Sequence, residues 1–173
     1  MVASQLQRTV IGLAVLTAAL IALTWTSPAQ AGVSAGPRLD ARGDLEIQTI
    51  IDVNGEREAR GLPPLYADST LGAVARERSQ DMAINGYFSH YDSSGNPIYV
   101  QLLDAYNVAF FYAGENLAWN TYGDDITAGV AVETWIQSRH HAENMFSWAY
   151  NKAGIGVVSV NDKKVFTLIL VGD

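Results

Sequence analysis

The chain contains no cysteine, so whatever it folds into must be held by packing and hydrogen bonds alone. A disulfide framework, a thiolate nucleophile and every cysteine-based metal site are excluded together. The constraint is sharper because the N-terminus reads as an export signal. Arg8 is followed by an uncharged stretch that runs to Pro37, with an apolar centre from Val10 to Trp25. Ala29-Gln30-Ala31 then supplies the small residues that a signal peptidase accommodates. The apolar centre falls short of the roughly 18–20 residues that span a bilayer comfortably, which favours cleavage of residues 1–31 over their retention as an anchor. An uncleaved segment would be the protein's one route to a membrane.

Residues 32–43 are small, polar and Gly/Pro-bearing, and read as a linker. One domain is expected over 44–173, because no internal repeat or second shift in composition follows. A charge of −7 and a pI near 4.8 argue against nucleic acid as a partner, since phosphate neutralisation needs a concentrated basic surface.

Periodicity then orders the elements. Leu45, Ile47, Ile50, Ile51 and Val53 start a helix that Gly61-Leu62-Pro63-Pro64 ends, with Gly55 as a point where it could bend. Asp68 is a good N-cap for a second helix, in which Leu71, Val74, Ala75, Arg78 and Met82 recur at three or four residues and which Asn85-Gly86 closes. Ile98 to Tyr106 reads as a short third helix. Ala128, Val132, Trp135 and Ile136 mark a fourth, from near Asp124 to near Ser138. The period changes in the tail, where Gly154–Val160 and Val165–Val171 read as a hairpin joined by residues 161–164. Helices first and a strand pair last imply an α+β layered domain.

Few residues are equipped for chemistry. The three histidines are His90, His140 and His141, and imidazole is suited both to binding a transition metal and to moving a proton near neutral pH. Glu115 lies in an apolar run between Phe110-Phe111-Tyr112-Ala113 and Leu117-Ala118-Trp119. Either it is half-buried and needs a partner such as a histidine, or Gly114 makes a turn and Glu115 points to water. The aromatic run Phe110 to Tyr112 is expected in the core. Asp124-Asp125 reads as a helix N-terminus rather than a calcium site. Ser89 beside His90 lacks a positioned acid, and no G-x-S-x-G, Walker, H-E-x-x-H or dinucleotide-binding motif occurs.

Four segments, in this order, resemble the CAP superfamily (cysteine-rich secretory proteins, antigen 5, pathogenesis-related 1), in its bacterial, cysteine-free, SCP-like branch. They are Asn54–Leu65 (NGEREARGLPPL), Ser79–His90 (SQDMAINGYFSH), Gly114–Leu117 (GENL) and Trp135–Phe146 (WIQSRHHAENMF), the last running on into Gly154-Ile155-Gly156-Val157. The resemblance implies a three-layer α-β-α sandwich with a C-terminal β-hairpin, in a secreted protein. It also implies a central cleft holding two histidines and acidic residues, which in some members takes a divalent metal. Matched by position, His90 resembles the first histidine, Glu115 the glutamate of G-E-N and His141 the second histidine. Glu133 is the best candidate for the other cleft carboxylate. Arg139-His140 stands where the family has Pro-Gly and Ala142 where it has Arg, so no role passes to His140.

Three readings of the function stay open at this point. In the first, His90 and His141 hold a divalent cation, zinc being the best match to imidazole, with Glu115 as a hydrogen-bonded carboxylate behind them. No organic cofactor is implied, and the ligand is an extracellular small molecule, a lipid or a cell-wall component. In the second, a metal-assisted hydrolase uses Glu115 or Glu133 as base. In the third, the His/Glu group is a structural network and function lies elsewhere on the surface.

Overall fold

The computed structural model of the protein describes residues 39–173, so the expected signal segment and residues 32–38 of the expected linker lie outside it. Its elements are β1 (Leu39–Ala41), α1 (Gly43–Glu58), β2 (Tyr66–Ala67), α2 (Ser69–Asn85), α3 (Ile98–Ala105), β3 (Tyr112–Asn120), α4 (Thr127–Gln137), α5 (Arg139–Met145), β4 (Lys152–Val160) and β5 (Lys163–Gly172). The sheet runs β1-β4-β5-β3, antiparallel throughout, and β2 pairs parallel with the start of β4. β3 therefore forms one edge.

Alternation along the strands decides which helices cover which face. On one face Phe166, Leu168 and Leu170 of β5 join Ala153, Ile155 and Val157 of β4 under Leu45 and Val53 of α1 and Val132 and Trp135 of α4. On the other face Ile169 and Val171 of β5 meet Leu71, Val74 and Ala75 of α2 and Leu103 of α3. Both faces of the central strand are thus buried, and the architecture is a three-layer α-β-α sandwich. The close approach of α2 depends on two glycines. A Cβ at Gly154 or Gly156 would come within 2.1 Å of the backbone of Leu71 or Ala75, so any side chain there would push α2 off the sheet.

Local signals explain most boundaries. Asp68 caps α2 by accepting hydrogen bonds from the Thr70 and Leu71 amides, and α1 passes through Gly55 without a break. The hairpin turns at Asn161, whose φ of 52° lies in the left-handed region. Three expectations need correction. Residues 39–43 are not linker: Leu39–Ala41 pair with Val158–Val160, and α1 begins at Gly43. Ser138 ends α4 in extended geometry, but α5 starts directly after it, so His141 lies in a helix and not past one. The aromatic run is split as well. Phe110 packs beside α2, whereas Phe111 is 84% exposed and Tyr112 60%, because the run lies at the very start of an edge strand, where the sheet no longer covers it.

Candidate functional site

The site grows from a buried charge on α2. Arg78 occupies the apolar face of that helix, one turn after Val74 and one before Met82, and its side chain is fully buried. A guanidinium there needs acceptors. Its Nε donates to Glu115 Oε1 at 2.9 Å, its Nη2 to the Ser89 carbonyl at 2.7 Å and its Nη1 to Tyr87 Oη at 3.0 Å. One arginine thus holds both the carboxylate of β3 and the loop that presents His90.

Glu115 is itself fully buried in its side chain, and its second oxygen, Oε2, lies 2.7 Å from His90 Nδ1. With Arg78 donating to its other oxygen, the carboxylate is the acceptor here and His90 Nδ1 the donor. That fixes the tautomer and leaves the Nε2 lone pair free. Both Glu115 oxygens are then engaged, which makes Glu115 an orienting group and a poor base.

His141 reaches the same place from the opposite layer. Successive residues of β3 point to opposite faces of the sheet, so Asn116 faces α5 while Glu115 faces α2. Asn116 Nδ2 donates to the His141 carbonyl at 2.9 Å, and Asn144 Nδ2 donates to Asn116 Oδ1 at 3.0 Å. Gly114 lets this layer close in, because a Cβ there would lie 2.7 Å from Tyr150 Oη and 3.3 Å from Asn144 Oδ1. The His90 and His141 ring centroids are 6.0 Å apart, inclined at 58°. Burial, reinforced by the neighbouring His90 and His140, lowers the His141 pKa and favours the neutral ring. Its Nδ1 is buried and makes no hydrogen bond.

Together these groups line a cavity of about 610 Å³ that also includes Tyr91, Tyr99 and Ser138. The donor set fits a divalent cation in part. A ring nitrogen oriented by a carboxylate is a common arrangement behind a metal, and a zinc ion about 2.0–2.1 Å from a nitrogen of each ring would hold two imidazoles at roughly this spacing. Among the described residues, however, no group of three or more His, Cys, Asp or Glu side chains is placed to hold a metal ion. Any cation here would rest on two imidazoles.

The structure brings together His90, Glu115 and His141 and does not bring Glu133 to them. Glu133 lines a separate hollow between α1 and α4, where Gln137 donates to it at 2.9 Å. The reason is helical geometry: Glu133 precedes the fully buried Trp135 by two residues, about 200° around α4, so it faces away from the core. His140, 91% exposed, stands at the cavity mouth. Sequence reasoning gave no role to Arg78, Asn116 or Asn144. A signal existed for Arg78, since a basic residue at core spacing on a helix requires a buried acidic partner.

Residues 51–172 match the model of the cysteine-rich secretory protein family, CAP. Bacillus subtilis YkwD is 33% identical over 114 residues, 65% of this chain and 42% of that protein. The B. subtilis membrane protein YlbC is 34% identical over 122 residues, 70% of this chain and 33% of its own length. The chain therefore spans less than half of either relative. Among solved structures, an outer surface protein of Borrelia burgdorferi shares the fold with a TM-score of 0.69 at 20% identity, over 79% of this chain and 98% of that one. An extracellular SCP-domain protein of Bacillus anthracis gives a TM-score of 0.63 at 28% identity, over 75% of this chain and 41% of that one. Among the described residues no helix is long and apolar enough to cross a membrane.

Proposed function

The chain belongs to the CAP family, and from that premise we propose that it is an exported domain that binds a divalent cation, zinc by preference, between His90 and His141. The observation that carries this reading is the 2.7 Å contact of His90 Nδ1 with Glu115, in a ring whose centroid lies 6.0 Å from that of His141. Export is supported by the N-terminal segment and by the outer-surface and extracellular neighbours.

Each residue has a defined task. Arg78 pairs with Glu115, Glu115 accepts a hydrogen bond from His90 Nδ1, and the Nε2 lone pair is left to bind the cation. Burial keeps His141 in the neutral form that a cation requires. Asn116 and Asn144 tie α5, and with it His141, to β3. A bound cation would supply a positive charge at the cavity to attract a carbonyl or anionic group of an extracellular ligand. Hydrolysis is not favoured, because Glu115 has no free oxygen for a water proton and Glu133 lies elsewhere.

Titration calorimetry with zinc at pH 7.5 tests the reading. The wild type should take up the ion, with weaker binding than a closed four-ligand site, and a His90→Ala/His141→Ala variant should not. Acidification through the usual imidazole range, about 6.5, should release it. Equal uptake by the two proteins would reject the proposal.

A further inference from the structure

We infer that the ligand of this cleft is an extended peptide segment, which adds as a strand to the free edge of β3 at Ala113–Glu115. The inference rests on the cleft being a ligand site, but not on the cation.

Among the described residues β3 hydrogen-bonds to β5 on one side only. In an antiparallel ladder alternate residues turn both N–H and C=O away from the partner strand. Here the outward residues are identified by the side chains that donate to them: Tyr99 Oη donates to the Ala113 carbonyl and Asn144 Nδ2 to the Glu115 carbonyl, both at 3.4 Å. Ala113, Gly114 and Glu115 follow one another along the cavity wall, the last two of them buried, so the unpaired edge of β3 borders the cavity that holds the two histidines. An exposed strand edge ordinarily invites another chain and is blunted by side chains or cover. This edge is covered by two bonds at the long limit of hydrogen-bond distance. Replacing them requires Tyr99 and Asn144 to turn aside, and Asn144 has Asn116 Oδ1 as a closer acceptor.

A peptide seated there would exchange two hydrogen bonds with Ala113 and two with Glu115, across about 7 Å of strand. Strand addition draws its affinity from such main-chain bonds and its selectivity from pockets for alternate side chains. Alternation would send one peptide side chain towards His90 and Tyr99 and the next towards His141 and Asn144. The chain's net charge of −7 favours a neutral or basic segment. A glycan lacks the regular repeat of N–H and C=O groups that pairs with successive outward residues of a strand.

The test uses the whole chain and follows hydrogen exchange of the Ala113 and Glu115 amides by NMR. The probes, at millimolar concentration, are acetyl-Ala-Val-Ala-Val-Ala-amide, the same peptide N-methylated at every residue, and an N-acetylglucosamine oligomer. The plain peptide should slow exchange at both amides by on the order of tenfold, and the other two probes should not. No protection by the plain peptide, or equal protection by the methylated peptide or the sugar, overturns the inference. The same measurement in the His90→Ala/His141→Ala variant separates the two proposals. Protection there with no zinc uptake by the wild type rejects the cation alone, whereas zinc uptake without protection rejects the peptide alone.

Discussion

Arg78 on α2 and Arg57 on α1 are both fully buried, yet the pockets around them differ. Arg78 faces a carboxylate, Glu115, and ties it to the Ser89 carbonyl beside His90. Arg57 faces no carboxylate. It donates to the carbonyls of Pro63 at 3.0 Å, Met145 at 2.7 Å and Ser147 at 3.0 Å, and its Nη2 is buried without a partner. Burial lowers its pKa, with no acid to offset the cost. Its position at the last residue of α5 is favourable for a cation, since the carbonyls at a helix C-terminus carry partial negative charge. The first arginine organises the cleft and the second clamps α1 to the end of α5. A buried charge can therefore serve recognition or chain closure, and the identity of its acceptors tells which.

Removing the cation from a charge pair strands the anion, so Arg78→Met should have the largest effect, a loss of about 3–5 kcal/mol in urea denaturation. The double variant Arg78→Met/Glu115→Met should recover much of that loss, because no buried charge is left behind; Asp81, the other carboxylate beside Arg78, is partly exposed. If the double variant is no more stable than the single one, Arg78 does not act through Glu115. Arg57→Met should cost less, about 1–3 kcal/mol, since it leaves carbonyls unpartnered but no buried ion. A larger loss for Arg57 than for Arg78 would reverse the comparison. The smallest effect should come from His141, whose ring is only partly buried. Its folded pKa is lowered, so the unfolded chain takes up the proton first as pH falls through about 6.5. Its contribution is thus full above that value and is lost as pH drops to the folded pKa. The melting temperature of His141→Gln should show a weaker decline than wild type between pH 7.5 and 5; parallel curves would show that the ring does not resist protonation.

Much of the fold was legible from local chemistry. The Asp68 cap, the core spacing of α2 and the hairpin around residues 161–164 involve residues a few positions apart, whose preferences do not depend on the rest of the chain. The exposure of Phe111 and Tyr112 was not legible, because an aromatic run reads as core wherever it falls and only strand order places β3 at the edge. The placing of Glu133 was within reach of helical geometry once Trp135 is taken as the core-facing residue of α4, but which of two glutamates meets His90 was not.

Unaided, the sequence determined the family motifs, the element types and the shortlist of histidines and carboxylates, all of them properties of composition and short spacing. Tertiary structure alone decided that Arg78, His90, Glu115 and His141 meet around one strand edge. These residues come from α2, the loop after it, β3 and α5, and only the packing of helices on both faces of the sheet brings them together.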